Sequence, residues 1–128
     1  MSDMHERLAD ALLRRVYYRV SAVASLDARG GLTCIQLFDT EFAGEYMRVD
    51  REAHRVLLLS CHPEGMMEPY DADLIHAAAL RAAAPHAELE MYLVNEDLGC
   101  MRIALPGSKQ VYLHDKNRNG ELKESVSF

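Results

Sequence analysis

The sequence predicts a single α+β domain over residues 1–128: an antiparallel sheet of about six to eight strands, with an N-terminal amphipathic helix and one central alanine-rich helix packed on it. Three observations carry this. The run Val56-Leu57-Leu58-Leu59-Ser60-Cys61 is short, continuous and apolar, the pattern of a strand covered on both faces. Behind it, from about Ala72 to Ala84, lies a stretch with so little bulk at Ala77, Ala78, Ala79, Ala82 and Ala83 that a helix there can approach a sheet closely. Elsewhere apolar and polar residues alternate between turn formers, as in Leu89, Met91 and Leu93 against Glu88, Glu90 and Tyr92.

Each element has its own signals. Asp3, with Glu6 three residues later, forms a capping-box pattern before Met4, Leu8, Leu12 and Val16, which share one helical face. The stretch from about Tyr17 to Leu26 is rich in β-branched and aromatic residues and reads as a strand, although helical spacing extends to Val23. Gly30-Gly31 supplies a turn, and Leu32 to Phe38 follows as a strand. Tyr46 to Asp50 and Arg55 to Cys61 are expected as the next pair, joined by Arg51-Glu52-Ala53-His54. Asp71 is expected to cap the central helix, with Tyr70 and Ile75 as a hydrophobic staple, and Pro85 to end it by displacing Ala84 from the α region. Beyond Pro85 the alternating runs, Pro106-Gly107 and the Asn119-Gly120 hairpin signal predict a meander of three or four strands.

Composition narrows the function classes. With 49% apolar residues, disorder is not expected, and 128 residues can bury roughly two thirds of the unfolded surface. No apolar run reaches the roughly 18 residues that span a bilayer, and the first residues mix charges, so a cytoplasmic protein with no membrane partner is expected. Cys34, Cys61 and Cys100, odd in number and far apart, suit reduced thiols. The net charge of −6 is concentrated in residues 64–99, where eight carboxylates face only Arg81 for a local net of −7. Such a surface repels phosphate backbones, which argues against nucleic acid.

Motifs for covalent chemistry are weak. Asp115-Lys116-Asn117-Arg118-Asn119-Gly120-Glu121-Leu122 copies the opening of a calcium-binding EF-hand loop, but its twelfth position is Val126 rather than glutamate, so a polar hairpin turn explains the residues better. Cys61-His62 is the only adjacent thiol and imidazole, and neighbours on a strand point to opposite faces. His54, His76, His86 and His114 lack zinc-ligand spacing. Neither glycine pair belongs to a phosphate loop, and Glu88 and Glu90 read as one solvated strand face. No metal and no cofactor is therefore expected. Met66 and Met67 lie in a connection where flexible thioethers suit an adaptable protein contact, with Tyr70 beside them.

Two stretches resemble the class I chaperones of bacterial type III secretion. Leu26-Asp27-Ala28-Arg29-Gly30-Gly31-Leu32-Thr33-Cys34-Ile35-Gln36-Leu37 is similar to that family's entry into its second strand, and Arg55 to Gly65 to its third strand and following turn. The likeness spans roughly residues 3 to 114; the chain departs from it at its end, where Asn119-Gly120 and alternating residues replace the family's closing helix. It implies a cytoplasmic homodimer that binds an extended client segment and performs no covalent chemistry.

The expected function is accordingly a non-enzymatic protein-binding module, with Met66, Met67 and Tyr70 and the edge strands as the contact. The alternative is a small-molecule-binding protein or small enzyme, with a pocket between sheet and central helix that uses Cys61, His62 or His76.

Overall fold

The apolar run Val56–Cys61 lies at the centre of the sheet. A computed structural model describes residues 3–14, 20–39, 47–62, 68–97, 99–105, 107–115 and 120–128, and for residues 39, 111–115 and 120–124 the backbone alone. In chain order the elements are α1 (Met4–Leu13), β1 (Val20–Leu26), β2 (Leu32–Asp39), β3 (Arg55–Cys61), α2 (Asp71–Ala83), β4 (Glu88–Asn95), β5 (Gly99–Ile103), β6 (Ser108–Asp115) and β7 (Gly120–Ser127). The fold is α+β. Strands β1 to β5 form one mixed sheet in the order β2-β1-β3-β4-β5, and β6 with β7 makes a second, two-stranded sheet.

The sheet is not purely antiparallel, as the sequence had suggested. β3 runs parallel to β4, with Leu58 beside Met91 and Leu59 beside Tyr92, while β1–β2, β1–β3 and β4–β5 are antiparallel. The cause is α2: parallel neighbours need a long crossover, and the alanine-rich helix is that crossover. Its closest residues differ from the expected alanine stripe. Leu74, Ala77 and Leu80 face the sheet with Ala84, whereas Ala82 is exposed.

Both faces of the central strands are covered, which explains why β3 reads as a continuous apolar run. On one face Val23, Val56, Leu58, Met91 and Leu93 pack under α2. On the other, Ala22, Ala24, Leu57, Leu59, Tyr92 and Val94 pack with Ala9 and Leu12 of α1. Asp3 occupies the N-cap of α1 without a side-chain cap hydrogen bond, and its carbonyl takes the amides of Glu6 and Arg7 instead (3.1 and 3.2 Å). Tyr70, not Asp71, is the N-cap of α2. At the other end Ala84 leaves the α region (φ −132°, ψ 69°), as the following proline requires.

Two expected strand pairings do not form. Residues 47–50 are not a strand: the Asp50 amide donates to Ser25 Oγ (3.0 Å) and the Arg48 amide to Gln36 Oε1, so these donors go to side chains instead of a ladder. The expected C-terminal meander is broken between β5 and β6, because β5 pairs with β4 and β6 with β7. That last hairpin pairs Asp115 with Gly120 and packs on α2, where Val126 and Phe128 join the core. The Asp27–Gly31 turn forms as expected: Gly30 takes φ +80°, and Asp27 Oδ1 accepts the amides of Arg29 and Gly31, both at 2.9 Å. The Tyr17–Arg19 part of the first expected strand and the turn residues 116–119 lie outside the described residues.

Candidate functional site

Alternation along β3 decides which of the predicted site residues can meet. Cys61 points to the α1 face with Leu57 and Leu59, while Ser60 and the following His62 turn to α2. The thiol and the imidazole therefore lie on opposite sides of the sheet. Burial pushes the Cys61 thiol up to about 11, which keeps it protonated at neutral pH.

His62 belongs to a different cluster. Asp73, in the first turn of α2, accepts Ser60 Oγ–H at 2.6 Å, lies 2.9 Å from His62 Nε2, and accepts the Tyr70 amide at 2.8 Å. The Tyr70 ring stacks on His62 with centroids 4.1 Å apart. Asn95 Nδ2 donates to the His62 carbonyl (2.6 Å), and the His62 amide donates to the Val94 carbonyl (2.8 Å). Ser60, His62, Asp73 and Asn95 are all buried. The Ser60 hydroxyl proton is directed at a carboxylate rather than at an imidazole, so no activated nucleophile results. The cluster pins the end of β3 to the first turn of α2. His76, one turn further along α2, is buried against Phe38 with ring centroids 5.1 Å apart, edge to face. The structure thus places His62 and His76 on one face and Cys61 on the other.

A second buried network lies on the α1 face. Arg55 donates from Nε and Nη2 to Glu90 (2.6 and 3.0 Å), Tyr92 Oη donates to Glu90 Oε1 (2.6 Å), and the His5 ring stacks on Tyr92 with centroids 4.5 Å apart. The sequence predicts a solvated edge face for Glu90; its side chain is instead only 3% exposed, with Arg55, Tyr92 and Arg102 around the carboxylate. Burial pushes the Glu90 carboxyl up, but the hydrogen bonds from Arg55 and Tyr92 outweigh it and hold the group below its ordinary value. The Tyr92 hydroxyl is raised, first by burial and then by the Glu90 hydrogen bond. Among the described residues, no group of three or more His, Cys, Asp or Glu side chains is arranged to hold a metal ion. No described helix is long and apolar enough to cross a membrane.

Among the described residues the five-stranded sheet has two edges, β2 and β5, and β2 carries more of the exposed apolar side chains. Among the described residues β2 pairs with β1 alone. Leu32, Ile35 and Leu37 are 43%, 44% and 38% exposed, three of the five large apolar side chains that are exposed among the described residues. Ile35 and Leu37 pair with Ala24 and Ala22, which places them on the α1 side. Among the described elements, α1 makes its main contacts with β3, β4 and β5 rather than β2. From Leu32 to Phe38 the strand carries no charge and no proline, the usual protections of a free edge. Tyr70 is exposed at 40% in spite of its stacking, whereas Met66 and Met67 lie outside the described residues.

Sequence reasoning missed Ser60, Asp73 and Asn95; it named the edge strands as contacts beside Met66, Met67 and Tyr70, without singling out β2 as an edge. Ser60-x-His62 on one strand face and a carboxylate at the third residue of α2 were signals for the first cluster. No protein-family model matches the chain, and no curated protein matches it.

Proposed function

We propose that this protein is a non-enzymatic protein-binding module that takes up an extended segment of a partner protein as an additional strand along β2. The observation that carries the reading is the β2 edge, uncharged and proline-free from Leu32 to Phe38, with Leu32, Ile35 and Leu37 exposed. Strand addition draws affinity from main-chain hydrogen bonds and specificity from alternate side chains, here those lying against Ile35 and Leu37. The buried polar clusters support the same reading, since their donors and acceptors are engaged with one another. The likeness of residues 26–37 and 55–65 to class I secretion chaperones points in the same direction, toward a homodimer that holds an extended client segment. Met66, Met67 and Tyr70 would extend the contact in that arrangement.

The test is a selection of random peptides displayed against the wild-type chain and against the double variant Ile35→Lys, Leu37→Lys. Peptides that alternate apolar and polar residues and lose binding to the double variant are expected. Peptides that bind both chains equally, with the variant folded, would contradict the assignment. Light scattering reports the oligomeric state independently.

A further inference from the structure

We infer that β2 also pairs with β2 of a second copy of this chain, antiparallel and edge to edge, so that self-association and capture of a partner segment exclude each other. The inference rests on the reading of β2 as an open edge, and it names what covers that edge when no partner is bound.

A two-fold pair sets a strand against itself, so a charge close to the axis meets its own copy, and like charges directly opposite are destabilising. β2 suits such a pair. Residues 32–38 carry no charge, and from Cys34 to Asp39 the strand pairs with β1 without a bulge, which leaves a regular outer edge. β5, the other edge among the described residues, is shorter and carries Arg102. A two-fold axis at Gln36 sets Ile35 of one copy against Leu37 of the other, and Cys34 against Phe38. Opposite residues of an antiparallel pair project from the same face. The two Ile35 and two Leu37 side chains, exposed in the single chain, therefore gather into one apolar cluster on the α1 side. The exposed parts of these side chains and of Leu32 fall well short of the roughly 800 Å² per partner that a stable interface buries, so the pair is weak and a bound segment can displace it. One charge works against it. The Arg48 amide donates to Gln36 Oε1, so the axis brings the exposed Arg48 of each copy toward the other, and salt should strengthen the pair by screening them.

The test is sedimentation velocity of the full chain at concentrations up to about 1 mM, the range in which so small an interface dissociates, together with isotope-filtered NOEs on an equal mixture of labelled and unlabelled chain. A concentration-dependent dimer is expected, with intermolecular contacts between the Ile35 and Leu37 methyl groups. Association should weaken at least about tenfold in Ile35→Lys, Leu37→Lys, which sets lysine against lysine, and should tighten in Arg48→Gln, a gain that misfolding does not produce. Adding a peptide selected on β2 should convert the dimer into a one-to-one complex. A wild-type chain that stays monomeric, a dimer whose contacts lie away from β2, association that the lysines leave unchanged, or a peptide that binds β2 without dissolving the dimer would each overturn the inference and leave strand capture standing. A β2 dimer in a chain that selects no peptide would support the pairing and remove the capture reading.

Discussion

Glu90 is the residue whose behaviour the structure constrains most tightly. Its carboxylate is buried and accepts from Arg55 and Tyr92, so its folded-state pKa lies below the ordinary 4.5. A depressed carboxylate contributes stability that is present above the unfolded pKa and is lost as the pH falls through the folded value. Glu90→Gln should therefore cost about 1–3 kcal/mol at neutral pH, because it leaves Arg55 and Tyr92 without their charged acceptor. In denaturant melts at several pH values the gap between wild type and variant should narrow as the pH falls below 4.5; a gap independent of pH would show that the pairing is not made. The cysteines give a second check at this scale. Burial raises both Cys61 and Cys100 to about 11, and for Cys100 the neighbouring Glu6 and Asp10 add to it. Cys34 is partly exposed on β2. Brief iodoacetamide treatment at neutral pH should modify Cys34 first, because alkylation needs the thiolate and access to it. Peptide mass mapping that finds Cys61 modified first would contradict the placement of β3.

Among the elements, β3 and α2 were the most legible in the sequence. A six-residue apolar run between turn formers and an alanine-rich stretch stopped by Pro85 are strong local signals, and both elements form close to the expected bounds. Their pairing was not legible from patterning alone, because period-two alternation fixes a face but not a neighbour. Strand, helix and strand in succession was nevertheless a cue for the parallel β3–β4 pair. Residues 47–50 show the opposite failure. Met47, Arg48 and Val49 alternate like a strand, yet the Gln36 and Ser25 side chains accept the amides of Arg48 and Asp50, a contact between distant parts of the chain that no local pattern encodes. The burial of Glu90 was hidden for the same reason, since its partners Arg55 and Arg102 come from the neighbouring strands β3 and β5. The exposed apolar side chains of β2 were written plainly in its sequence; that β2 is an edge was not. At the level of the element, Leu58 is 1% exposed beneath α2, so Leu58→Ala should cost about 2–5 kcal/mol. A loss below about 1 kcal/mol in a chemical melt would show that α2 does not cover β3.

For the whole molecule, the architecture divides stabilising from open surface. α1 and α2 seal opposite faces of the central strands, and the Asp73 and Glu90 networks tie β3 and β4 to one another and to the first turn of α2. The far side of the sheet ends in β2, with an unsatisfied main-chain edge among the described residues and apolar side chains beside it. Replacing Ile35 and Leu37 by lysine should leave stability within about 0.5 kcal/mol per site, since both are exposed. The most direct measurement is amide hydrogen exchange on β2, with the chain alone and with a selected extended peptide bound. Peptide binding should slow exchange across residues 32–39, at the amides on the strand's free edge, and the Ile35→Lys, Leu37→Lys variant should not show the change. Protection that arises elsewhere while β2 exchanges as in the free chain would contradict the assignment of β2 as the binding edge.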